Sequence, residues 1–94
     1  MSESDENIIY IGRKPAMNYV MACFTVIQKN LKKLILKARG RAISKAVDVI
    51  EILRNRFMKD QVSIESIETG TEQIESEDRG TFSVSTIAIT ANIK

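Results

Sequence analysis

The sequence predicts an α+β fold: a two-layer sandwich in β-α-β-α-β-β order, with helices over one face of a mixed sheet and an extended C-terminal β-hairpin. Three observations predict it. Two short apolar runs, Ile8-Ile9-Tyr10-Ile11 and Leu34-Ile35-Leu36, each precede a stretch of helical apolar spacing. The last third abandons that spacing for apolar–polar alternation. The whole chain is 94 residues, enough for one domain and too short for two.

The elements follow in order. An acidic tail, residues 1–6, precedes a single domain over residues 7–94. The first strand, ended by Gly12, leads through the cationic loop Arg13-Lys14-Pro15, with Pro15 suited to the first turn of a helix. Met17, Val20, Met21, Phe24 and Ile27 recur at helical spacing and predict a helix over 16–29, with Asn30 as its stop and the two methionines as core fillers. The second strand runs through Lys37-Ala38 into Arg39-Gly40-Arg41. Beyond it Ile43, Ala46, Val47, Ile50, Leu53 and Phe57 form the clearest stripe in the chain, a helix of about fifteen residues. Val49 and Ile52 lie off that stripe and widen it, which suits contact with a partner. Val62, Ile64 and Ile67, then Val84, Ile87, Ile89, Ala91 and Ile93, alternate with one phase slip in each group, as β-bulges produce. The polar stretch Thr69–Gly80 between them is an acidic hairpin.

Composition excludes much chemistry. There is no histidine, hence no Ser-His-Asp or Cys-His catalysis and no imidazole metal ligand. The one cysteine, Cys23, supports neither an internal disulfide nor a thiolate zinc site and reads as a small core hydrophobe. The aromatic fraction of 5%, with no tryptophan, argues against a base-stacking platform. Tyr10 and Tyr19 carry hydroxyls able to bond phosphate, with Tyr10 expected to pack within its strand. Asp48 and Glu51 imitate a carboxylate pair but, with Lys45 and Arg54 three residues away on either side, read as helix-surface ion-pair partners. No enzyme, cofactor, metal or small-molecule substrate is expected. Without an apolar run of roughly 18 residues or a basic leader, a cytoplasmic protein with no membrane partner is expected.

The net charge of +2 hides a partition. Residues 8–59 carry twelve cations against Asp48 and Glu51 alone, whereas residues 60–94 carry seven anions against Arg79 and Lys94. Five of the twelve lie in Gly12–Pro15 and Lys37–Arg41, each running from a strand's end into a helix start. If the strands are parallel neighbours joined by a right-handed crossover, both segments emerge at one edge of the sheet. Helix N-termini add partial positive charge there, and Gly40 sits between two arginines able to bond phosphate bidentately. A solvated lysine-rich surface is the plain alternative; two converging segments favour nucleic acid.

The stretches Ile11–Val20 (IGRKPAMNYV), Ile35–Asp48 (ILKARGRAISKAVD) and Arg54–Phe57 (RNRF) closely resemble Alba, a family of small archaeal chromatin proteins, and Ser83-Val84-Ser85-Thr86-Ile87 resembles the family's last strand. The resemblance covers the chain from about Asn7 to its end. It implies a homodimer, or a heterodimer with a paralogue, that binds double-stranded DNA with little sequence preference, coats and compacts it in the nucleoid, and also binds RNA. It places Arg13 and Lys14 at the nucleic-acid surface, with Arg39, Gly40 and Arg41 supporting. Lys37, Lys45 and the lone arm cation Arg79 complete the expected set. Phe57 reads as core from its place on the helix stripe, but the resemblance puts it, with Leu53, Asn55 and Arg56 nearby, where neighbouring dimers meet. The family lysine open to acetylation is matched by Arg13, which keeps the charge but not that chemistry, leaving Lys14 as the residue to modify. Family arms are usually basic; this one carries Glu72, Glu75, Glu77 and Asp78, so it should add less affinity. A primarily RNA-binding protein and a protein-interaction module are the rival expectations.

Overall fold

Four strands and two helices form in the expected order in the computed structural model, which describes residues 7–94. The expected acidic tail lies outside the described residues. The elements are β1 (Ile8–Tyr10), α1 (Ala16–Gln28), β2 (Lys33–Arg39), α2 (Ala42–Ile52) continuing as a π-helical turn (Leu53–Phe57), β3 (Val62–Ser76) and β4 (Gly80–Ile93). The sheet order is β1-β2-β4-β3, with β1 parallel to β2 and the other pairs antiparallel.

Alternation fixes what each strand buries. Ile9, Leu34, Leu36, Ala38, Ile89, Ala91 and Ile93 point to the helices and are buried. Their neighbours Tyr10, Lys37 and Arg39 point the other way and are exposed. Val20, Cys23 and Val26 from α1, and Ala46, Val49, Ile50 and Leu53 from α2, close the core over the sheet. Leu34, Leu36, Ile50, Leu53 and Ile89 are the largest of the fully buried side chains; each contributes about 1.5–3 kcal/mol by leaving water.

Several expectations are corrected. Strand β2 reaches Arg39, because Lys37, Ala38 and Arg39 pair with Ala88, Ile87 and Thr86 of β4. Met17 and Met21 are 42% and 57% exposed, since α1 turns its smaller apolar residues to the sheet. In α2 the buried face is rotated: Val49 is fully buried and Val47 is 42% exposed. Tyr10 does not pack into the core and is 71% exposed. The slip before Ile67 is a bulge, with the register shifting between Ile64 and Ser66. The slip after Val84 is none: Val84 pairs in register with Glu72 and lies on the sheet's other face from Ile87. Helix α1 stops where expected, at Lys29 and at Asn30, whose φ of 64° is left-handed.

Beyond Thr69 the hairpin leaves the body as a ladder held continuously from Thr69↔Ile87 to Ser76↔Gly80, a two-stranded arm with Glu77, Asp78 and Arg79 at its tip.

Candidate nucleic-acid interface

Parallel pairing of β1 and β2 decides the geometry: both strands end at one edge, so the loop after β1 and the turn after β2 emerge side by side. Arg13 and Lys14 are exposed in the first, and Gly40 and Arg41 in the second. Lys37 and Arg39 are strand residues on the open sheet face just below that edge. A groove of about 1290 Å³ joins the two regions, running from Arg13 and Arg41 over Tyr10, Lys37 and Arg39 to Glu68 and Glu72.

Both helices begin here without a side-chain cap and with no acidic residue in the first turn, α1 after Pro15 and α2 after Arg41. Their positive ends are therefore uncompensated by the chain itself. Gly40 sits at φ 59°, donates its N–H to the Ser85 carbonyl at 2.9 Å and accepts from Ile43 N–H at 3.2 Å. A Cβ there would meet nothing within 4 Å, so the left-handed backbone, not crowding, demands glycine.

The loop after β1 is tied down by two residues. The Lys45 ammonium donates to the Lys14 carbonyl at 2.7 Å and the Gly12 carbonyl at 3.2 Å. The Tyr19 hydroxyl accepts the N–H of Gly12 at 2.9 Å and of Lys14 at 3.1 Å. Lys45, expected among the contacts, is thus spent on the loop's carbonyls, and the expected ion pair with Asp48 does not form; Glu51 does pair with Arg54, at 2.9 Å. Sequence reasoning missed Tyr19 as a loop anchor, although its position one helical turn past the loop was a usable signal.

Arg39 is ion-paired with Glu72 across the open sheet face, so an acid at the base of the arm meets a cation of the basic body. Arg79 is exposed at the arm's tip, where Ser76 Oγ accepts its N–H at 3.4 Å, far along the chain from the other cations. Phe57 is 48% exposed and meets Phe24 edge-on, ring centroids 5.4 Å apart. Asn55 and Arg56 are exposed beside it, whereas Leu53 is fully buried in the core and offers a neighbour nothing. The Lys14 side chain is exposed. Cys23 is buried, and that burial pushes its thiol up to about 12. Among the described residues no helix is long and apolar enough to cross a membrane.

Comparison with known proteins identifies the fold and the family. The family model for Alba matches residues 7–71. The DNA/RNA-binding protein Alba of Thermoplasma acidophilum is 51% identical over 87 residues, covering 93% of this chain and 96% of that protein. The solved structure of Alba from Thermoplasma volcanium superposes with a TM-score of 0.85 at 50% identity, over 92% of this chain and 99% of that one. ALBA1 from Trypanosoma brucei superposes at 0.74 with 21% identity, over 94% of this chain and 69% of that one, a likeness of fold alone.

Proposed function

This chain belongs to the Alba family, and from that membership we propose that it is an architectural protein binding double-stranded DNA through phosphate contacts, coating and compacting it as a homodimer in the cytoplasm. The observation that carries the reading is the convergence of Arg13, Lys14 and Arg41, with two uncapped helix starts, at one edge of the sheet. Such contacts position a duplex without reading its sequence, so discrimination between sequences is small. The electrostatic term comes from Arg13, Lys14, Arg39 and Arg41, with Lys37 behind them and Gly40 shaping the turn. Lys45 acts from beneath by holding the loop. Arg79 is the arm's one cation, and Phe57, Asn55 and Arg56 face the next dimer along the DNA. Acetylation of Lys14 would remove one of these charges.

RNA is the second ligand. The relative from Thermoplasma acidophilum is named for binding both DNA and RNA, and the same cationic edge serves an A-form backbone equally well. The homodimer reading is supported by Val47 and Ile67, which are 42% and 56% exposed in the single chain.

The test is fluorescence anisotropy on one labelled duplex prepared as DNA and as RNA, between about 50 and 200 mM salt. A steep loss of affinity with salt, with DNA at least as tight as RNA, is expected. RNA bound much more tightly would move the protein to ribonucleoprotein work. Binding to neither at low salt would overturn the phosphate surface and leave a protein-interaction module. Sedimentation should give twice the 10.6 kDa chain mass.

A further inference from the structure

Tyr10 is the most exposed large hydrophobic side chain among the described residues, at 71%. It stands on the open sheet face, because its neighbour Ile9 is the residue that alternation turns into the core. Lys37 is its register partner on β2, and Arg39 lies two residues further along the same face. Beyond Lys37 across the sheet, β4 presents only the small side chain of Ala88. The groove that holds the phosphate-binding edge continues over this ring. The exposed ring itself does not serve a duplex, whose base faces are stacked inside.

We propose that Tyr10 is a stacking site for one unpaired base, with the adjoining phosphates held by Lys37 and Arg39, so that the open sheet face binds single-stranded nucleic acid. The proposal rests on the nucleic-acid reading above and shares Lys37 and Arg39 with it, but adds a contact, stacking on Tyr10, that a duplex does not make. Every base has a π-face, so an isolated ring accepts any base, and the chain's few aromatics, which argue against a continuous platform, do not argue against a single site. Charge sets the direction of the strand's backbone. Lys37 lies on β2 beside the ring, whereas Glu68 lines the far wall on β3 and repels phosphates from it; Arg39 joins Lys37 when it exchanges Glu72 for a phosphate. The backbone therefore runs along the β1–β2 side and turns its base onto Tyr10.

The experiment compares the unaltered protein with Tyr10→Ala and Tyr10→Phe, using a labelled oligouridylate single strand and a blunt DNA duplex. Tyr10→Ala should weaken the single strand roughly five- to a hundred-fold. Tyr10→Phe should keep it, because the ring and not the hydroxyl stacks, and neither change should move the duplex. Thermal melting of each variant checks the fold, which an exposed side chain should leave intact. Equal loss on duplex and single strand, or no loss on either, would overturn the stacking site while leaving the duplex reading in place. Failure of the unaltered protein to bind either probe would overturn both.

Discussion

Glu72 is predicted to restrain binding, and its replacement by glutamine should tighten it. Arg39 and Glu72 are 60% and 51% exposed, so their ion pair contributes at most about 1 kcal/mol. That contribution is given up when the guanidinium turns to a phosphate. The carboxylate left behind, at roughly 6 Å, repels the phosphate by about 0.7 kcal/mol in water, less with salt. Together these amount to at most about 1.5 kcal/mol, or up to roughly ten-fold in affinity for Glu72→Gln. The slope of log affinity against log salt should also steepen by up to about 0.9, one further phosphate neutralised. Anisotropy on a labelled duplex reads both quantities. Glu75→Gln is the control, since Glu75 lies nearer the arm's tip, opposite Thr81. If Glu72→Gln bound no more tightly than the unaltered protein, or if Glu75→Gln matched it, competition between carboxylate and phosphate for Arg39 would be refuted.

Other expectations follow from the same structure. Lys45→Met should weaken duplex binding by loosening the loop at Gly12 and Lys14, yet leave the salt slope unchanged; a slope reduced by about 0.9 would make Lys45 a phosphate contact instead. Gly40→Ala should cost about 1–2 kcal/mol, because its φ of 59° penalises a Cβ, and lower the melting temperature by roughly 4–16 °C; Gly40→Asn should cost less. Phe57→Ala removes an edge-on contact with Phe24, about 0.5–1.5 kcal/mol, plus a half-exposed ring. Its main effect should therefore be on cooperative coating of long DNA, and a melting loss on the scale of a core truncation would return Phe57 to the core. Cys23, buried and pushed up to about 12, should stay unmodified by thiol reagents in the native state and react only on unfolding.

Much of the architecture was readable from local pattern, and the misreadings share a cause. Period and punctuation located every strand and helix: Asn30 marked a stop because it tolerates a left-handed backbone, and the slip between Ile64 and Ile67 marked a real bulge. The extension of β2 over Lys37–Arg39 was not visible, since charged residues around an alanine resemble a loop until β4 supplies the backbone partners. Nor could the stripe on α2 say which flank met the sheet: Val47 and Val49 are the same residue two positions apart, and only packing buries one. The basic edge was legible as charge at two strand-to-helix junctions. Its internal ties were not, because Lys45 counts as one more cation in any tally while its ammonium is bonded to carbonyls. Arg39's neutralisation by Glu72 spans 33 positions and depends on the arm's register.

The arm has another side. β3 is an outer strand of fifteen residues, so one row of its backbone N–H and C=O groups has no neighbour in the sheet. A long, flat outer strand is a template on which a second copy can add itself. Glu65, Glu68, Glu72 and Glu75 are strung along this one, and two such strands laid edge to edge would set carboxylate against carboxylate. On the proposed reading, acids that repel DNA would thus also keep arms from zipping together. An arm stripped of them to strengthen DNA binding would trade affinity for aggregation, and only an arm recharged with lysines would escape both.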